Sequence, residues 1–248
     1  MLCAQWLTYP SPGAPRTASG AVDLDAPPPR AADGHPDLSG IWKAEDNRPC
    51  PCDDMHIGQE FLNIGWGIRG GLPYQPWAAE LVRKRTADLR RDDPQALCLP
   101  TGLVRMHTTP LYRKMLQAPG LLMILNERNA EYRQIFTDGR PLPVDPQPAW
   151  NGYSSARWEG DVLVVTTSGF RDGLWLDAAG SPLTDAATIV ERFRRVAFGR
   201  LDIQLTVDDP KAYTASWTTT LRQFLAADTE LLDYYCLENE KDVARYRK

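Results

Sequence analysis

Turn-forming pairs recur at short intervals through the second half of this chain, and the segments between them alternate in polarity. From Leu121 to Phe170 the sequence is cut by Asn129-Ala130, Asp138-Gly139, Asn151-Gly152 and Glu159-Gly160. Glycine accepts positive φ without a steric penalty, so such pairs mark tight turns. Between two of them, Tyr132, Gln134 and Phe136 fall on one side of Glu131–Thr137, and Glu131, Arg133 and Ile135 on the other. A period of two predicts a strand with two unlike faces. Leu121–Arg128 is an apolar run that turns polar at its end, and Tyr153–Trp158 with Asp161–Ser168 reads as a hairpin. The VLVVTT part of its return strand is apolar on both parities, which predicts cover on both faces. The proline-rich segment Pro141–Pro148 cannot donate ladder hydrogen bonds regularly and is expected to be an ordered loop.

The same pattern continues in Thr188–Val196, in Leu201–Val207, in Trp217–Arg222 and in Glu230–Cys236. Roughly eight strands with short connections tend to curl and close, which removes exposed sheet edges. The expected fold is a mainly β, antiparallel up-and-down β-barrel of lipocalin-like shape, with a two-sheet β-sandwich as the alternative. Residues 1–36, rich in Pro and Ala, read as a leader remnant and an extended arm without a core of its own. Residues 37–248 read as one barrel domain, opening with a short strand at Trp42. Pro76 suits a first helical turn. A helix is expected over about 76–91, with Trp77, Ala78, Leu81, Val82 and Leu89 on one stripe, packed on the barrel or plugging one end.

The net charge is −4 and no basic stripe is present, which argues against a nucleic-acid partner. No apolar segment approaches the roughly 20 residues that span a bilayer. Leu2-Cys3-Ala4 before Gln5 resembles the end of a signal-peptide cleavage site, so a periplasmic or secreted location is expected; a plain cytoplasmic start is the alternative. With Cys3 in the leader, Cys50, Cys52, Cys98 and Cys236 remain, an even number that suits an oxidising compartment. Cys98 precedes the meander and Cys236 ends its last expected strand. The first and last strands of a closed barrel adjoin, so a Cys98–Cys236 disulfide is expected, with free buried thiols as the alternative.

Several strings together resemble a group of exported bacterial β-rich proteins: PDLSGIW at Pro36–Trp42, QIFTDGRP at Gln134–Pro141, RWEGDVLVVTTSGF at Arg157–Phe170, ERFRR at Glu191–Arg195, DDPKAYT at Asp208–Thr214 and ENEKD at Glu238–Asp242. The resemblance covers most of residues 36–242. It implies export and a β-rich domain, and it implies no reaction and no catalytic residue.

Chemistry must come from the side chains. Cys50-Pro51-Cys52-Asp53-Asp54-Met55-His56 gathers metal-ligand types, but zinc usually needs a second Cys/His pair, and none is present, so no metal is expected. There is no G-x-S-x-G elbow and no glycine-rich nucleotide loop, so no cofactor is expected. What remains is a barrel lumen carrying aromatic and ionisable groups. Arg133, Tyr153, Arg192, Trp217 and Tyr235 can all face inward. Arg192 and Arg194 share one parity; the other would put Ile189 and Phe193 inside, and the pattern leaves both open. His107, Asp172, Trp175 and Glu238 fall at the expected mouth. A carboxylate near a tyrosine or histidine in an apolar pocket is the minimum for general acid–base work. The expectation is therefore cofactor-free chemistry of lyase, isomerase, hydratase or cyclase type on a small, mostly apolar organic molecule. His107 or Asp172 would be the base, Tyr153 the acid, Arg192 the anchor, and Trp175 and Trp217 the pocket walls; Arg133, Tyr235 and Glu238 would complete the binding surface. The alternatives are a non-catalytic carrier of a hydrophobic ligand and an envelope protein that binds a partner through its arm. A homodimer is compatible with the sequence.

Overall fold

A computed structural model describes residues 9–45 and 58–238 of the chain. Its centre is a closed β-barrel. Going round the ring, β1 (Gly40–Ala44) is followed by β11 (Trp217–Leu225), β10 (Arg200–Asp208), β9 (Thr188–Ala197), β6 (Val162–Ser168), β5 (Tyr153–Glu159), β4 (Tyr132–Phe136), β3 (Leu121–Asn126) and β2 (Arg113–Ala118), which returns to β1. A separate two-stranded hairpin is formed by β7 (Leu174–Trp175) and β8 (Pro182–Leu183). Among the described residues the helices are short: α1 (Gln59–Leu62), α2 (Pro76–Ala87) and α3 (Leu103–Thr108).

Nine strands are an odd number, and an odd ring cannot alternate direction all the way round. One neighbouring pair has to run parallel, and that pair is β4 and β5. The wholly antiparallel barrel expected from the hairpin pattern is corrected at this one junction. Parallel neighbours need a crossover rather than a hairpin, and residues 137–152, with Pro141–Pro148 inside them, supply it. The ring closes through β1, which pairs with β11 by Trp42 opposite Leu225 and with β2 by Trp42 opposite Arg113. Glu230–Cys236, expected as the closing strand, is corrected to an irregular segment whose Tyr234 makes an isolated bridge to Arg128. With β1 on the edge of β11, no free ladder remains for it.

The interior follows from strand alternation. Leu201, Ile203, Leu205 and Val207 of β10 are all buried, with Leu163 and Val165 of β6, Ile189 and Phe193 of β9, and Met115, Leu122, Ile124 and Ile135 of β2–β4. All six residues of α3 are buried. Leu103, Val104 and Met106 join the core cluster, while Arg105, His107 and Thr108 bring polar groups into the interior. The helix expected over about 76–91 stops at Ala87, because Leu89 and Arg90 adopt positive φ. It buries Ala78 and Arg85 rather than an apolar stripe, and Trp77 is half exposed with its Nε1 donating to the Lys211 carbonyl at 2.8 Å. Arg85 lies over the Trp175 ring and donates to the Gly180 carbonyl, which ties α2 to the β7–β8 hairpin.

The N-terminal arm is pinned to the barrel. Arg16 pairs with Asp228, Arg30 pairs with Asp161, and the His35 ring stacks on Trp158 at 4.5 Å. Cys98 and Cys236 form a disulfide. It joins two irregular segments beside the β3–β4 turn, where the Cys236 amide donates to Asn129 Oδ1 at 3.1 Å. No described helix is long and apolar enough to cross a membrane.

Candidate functional site: a wall cleft and the charged cluster behind it

Three buried arginines stand on the barrel strands themselves, and each of these three solves the problem of a dry charge differently. Arg113 donates to the carbonyls of Met106, His107, Thr109 and Leu111, so it caps the C-terminus of α3. Arg195 donates to the carbonyls of Asp37, Ser39 and Phe198 and lies over Trp42. Burial lowers both, Arg113 to about 9 and Arg195 to about 10. Arg133 alone meets a carboxylate. It makes a two-pronged pair with Glu191, by Nη1 to Oε1 at 3.0 Å and by Nη2 to Oε2. Its Nη2 also donates to Ser154 Oγ and Thr167 Oγ1, both at 3.1 Å. Buried charges persist when paired and fully hydrogen-bonded, and this set meets that condition.

His107 completes the cluster. Helix α3 carries it into the ring, where Nε2 lies 2.9 Å from Glu191 Oε1. A carboxylate only accepts, so Nε2 carries the proton and the Arg133 guanidinium 3.4 Å away is a neighbour, not a donor to it. Nδ1 is left with a lone pair and no partner. Burial by itself would raise the Glu191 pKa, but the Arg133 charge and the bonds from His107 and Arg133 hold it down at about 2. Burial lowers the His107 pKa, and Arg133 and Arg113 add to that against the upward pull of Glu191. The resting cluster is therefore Arg133 cation, Glu191 anion and neutral His107.

A cleft of about 530 Å³ opens in the wall in front of this cluster. Its origin is the parallel junction: β4 and β5 pair only at Ile135–Ser154 and Phe136–Ser155, then diverge. Tyr132, Phe136, Trp150 and Tyr153 line it with Gln134, Asn151 and Glu131, and Arg133 and Ser154 reach it from the cluster. Phe136 and Tyr153 stack with centroids 5.3 Å apart. Glu131 accepts from the Thr101 amide and hydroxyl, and burial raises its pKa despite those bonds and the nearby Arg128 and Arg105. A raised carboxylic acid and a phenol among aromatic walls form a group that can exchange protons with a bound molecule.

Of the residues singled out from sequence, Arg133, Tyr153 and His107 belong to this region, the first two on the cleft and the third behind it. Arg192 is corrected: it is on the outer face and donates to Glu159 Oε2 at 2.9 Å. A β-bulge between Arg200 and Leu201 shifts the β9–β10 register by one residue, so Glu191, Phe193 and Arg195 point inward and Arg192 and Arg194 outward. Asp172 occupies an exposed turn after β6 and is not among the residues that line the cleft. Trp175 is buried under Arg85, away from the cleft lining, and Trp217 is buried edge-on to Tyr213. Tyr235 is half exposed and Glu238 exposed, in the turn after the Tyr234 bridge. Sequence reasoning missed Glu191 and Glu131. The first shares a parity with Ile189 and Phe193; the second sits beside the Asn129-Ala130 turn and carries no pattern of its own. Cys50–His56 lies outside the described residues, and among those described no three His, Cys, Asp or Glu side chains gather as metal ligands. Comparisons with protein-family models, with curated proteins and with solved structures find no match to this chain.

Proposed function

We propose that the β4–β5 cleft binds a small, mostly apolar organic molecule bearing a polar group, and that the chain acts on it by cofactor-free acid–base chemistry of lyase, isomerase, hydratase or cyclase type. The observation that carries this is the cleft itself: about 530 Å³, within the range of small-molecule sites, aromatic in lining, with a few converging polar groups. Glu131 is the proton-exchanging carboxyl and Tyr153 the acid or oxyanion donor. Arg133, fixed by Glu191, Ser154 and Thr167, offers a preorganised cation at the floor. His107 acts through Glu191 as a positioning residue. A disulfide fits an oxidising compartment, in keeping with a periplasmic or secreted protein.

The test is a screen of small phenols, ketones and carboxylic acids by NMR, followed by turnover assays on the binders. Tyr153→Phe and Glu131→Gln are expected to keep binding and lose about 10²–10⁴ in rate. Failure of every compound to perturb cleft resonances at millimolar concentration would sink the site. The second reading is a carrier, favoured by the Thr101 bonds that already occupy Glu131. It is distinguished by tight binding with no conversion in the parent protein.

A further inference from the structure

The Cys98–Cys236 disulfide lies beside the rim of the cleft, within reach of solvent. Both cysteines are half-buried, and Leu97 and Leu99 on either side of Cys98 are exposed. Cys98 has φ +56°, in the left-handed region that is costly for a residue with a side chain. The other sulfur has a cation next to it. Arg128 is 2% exposed; its Nη2 donates to the Gln95 carbonyl at 2.7 Å and lies 3.5 Å from Cys236 Sγ. Its Nη1 is buried without a hydrogen-bond partner. The carboxylates close enough to act on it are engaged elsewhere, Asp93 with Arg105 and Glu131 with Thr101.

A disulfide sulfur accepts hydrogen bonds weakly, whereas a thiolate accepts them strongly. The guanidinium is therefore matched to Cys236 as it stands after the S–S bond has broken, not before. Thiol–disulfide exchange is faster when the leaving thiolate is stabilised, and a neighbouring arginine supplies that stabilisation.

We propose that Cys98–Cys236 is an exchange site for small organic thiols, with attack at Cys98 and Cys236 as the leaving group. The incoming thiolate forms a bond to Cys98 Sγ, the Cys98–Cys236 bond breaks, and its electron pair leaves on Cys236 Sγ beside Arg128. The product is a mixed disulfide on Cys98 and a Cys236 thiolate. A second thiolate then displaces the first from Cys98, so two small thiols are oxidised to their disulfide as the two cysteines are reduced. Asn129 ties the site to the cleft. Its Nδ2 donates to the Cys98 carbonyl at 3.3 Å, its Oδ1 accepts from the Cys236 amide at 3.1 Å, and Asn129, Ala130 and Glu131 all line the cleft.

The folded chain is treated with 2-mercaptoethanol, quenched with iodoacetamide and mapped by mass spectrometry. The thiol adduct should sit on Cys98 and the alkyl group on Cys236, with the opposite pair about tenfold rarer, the scale of one hydrogen bond to a charged group. The rate should stay level on adding low urea, and the amides of residues 129–131 should shift as exchange proceeds. Arg128→Gln should slow exchange about tenfold, and Arg128→Lys, which keeps the charge, should restore most of the rate. An even split of adducts, or a rate that climbs with urea as global unfolding does, would overturn the proposal in the parent protein whether or not the variants fold. A folded Arg128→Gln variant that exchanges as fast as the parent would overturn it too.

Discussion

The barrel has two walls of opposite character. Between β9 and β10 the strands pair at nine positions, from Ala197–Arg200 to Thr188–Asp208; between β4 and β5 they pair at two. The first wall encloses an aliphatic core and continues into β11 by eight further pairs. The second is a gap, and the polar side chains of the interior gather behind it. A closed ring normally has no open ladder. Here the odd strand number forces a parallel junction, the crossover leaves it short, and the gap becomes a binding surface. The difference teaches that the cleft is a consequence of topology rather than of a loop grafted onto a finished barrel.

The largest expected effect comes from breaking the cluster that spans the two walls. Glu191→Ala leaves the Arg133 cation buried without its counter-charge and should lose about 3–5 kcal/mol in urea unfolding. The same cluster sets an acid limit. Glu191 is held at about 2, below the usual 4.3 of the unfolded chain, so its contribution is present above that pH and lost as pH falls toward 2. His107 is lowered, so the unfolded chain takes up a proton below about 6.5 before the folded one does, and stability falls from there as well. His107→Gln should flatten the upper part of that curve, between about pH 6.5 and 5. A parent protein equally stable at pH 7 and 5 would contradict the assigned charges.

The next effect is the Cys98–Cys236 link, which staples the segment before α3 to the segment after β11, beside the β3–β4 turn on the gapped side. Replacing both cysteines by serine should remove about 2–4 kcal/mol. Amide exchange should show the loss concentrated around residues 127–134, with β9–β11 exchanging only on global unfolding. Uniform acceleration around the ring would erase the distinction between the walls.

A smaller effect tests the crossover. Gly169 has φ +75°, and a Cβ there would collide with Pro146 Cγ. Gly169→Ala should destabilise by about 1–3 kcal/mol and move the crossover away from β6. Unchanged stability and unchanged cleft affinity together would mean that the crossover does not hold the gap in shape.

Much of this architecture is legible in the sequence because turns and period-two alternation are local signals. Asp138-Gly139 and Asn151-Gly152 fall between strands, and Glu159-Gly160 spans the end of β5 and the turn to β6. What stayed hidden was register. Counted straight back from the β9–β10 turn, the alternation of Leu201, Ile203 and Leu205 would put Arg194 and Arg192 inward; the extra residue at the bulge reverses this and delivers Glu191 instead. The closing role of β1 was hidden for a related reason, since ring closure is a long-range pairing with no local mark. Helix α3 is only six residues long and mixes apolar with polar side chains, so it shows no stripe to announce itself, yet it carries His107.

The smallest expected effect on stability is the one that separates function from fold. Tyr153 is only half-buried and borders the cleft, and its side chain meets Arg140 rather than the core. Tyr153→Phe keeps the ring that stacks on Phe136 and removes only the oxygen, so unfolding should change by no more than about 0.5 kcal/mol. Proton transfer in the cleft needs that oxygen; turnover should collapse while ligand still binds. The matching change in the closed wall, Thr206→Val, breaks an exposed bond to Thr218 Oγ1 at 2.9 Å and should leave both stability and turnover nearly as they were. If the two substitutions alter activity equally, the gapped wall has no special claim to the chemistry, and the polar cluster behind it is a structural solution to filling a nine-stranded ring.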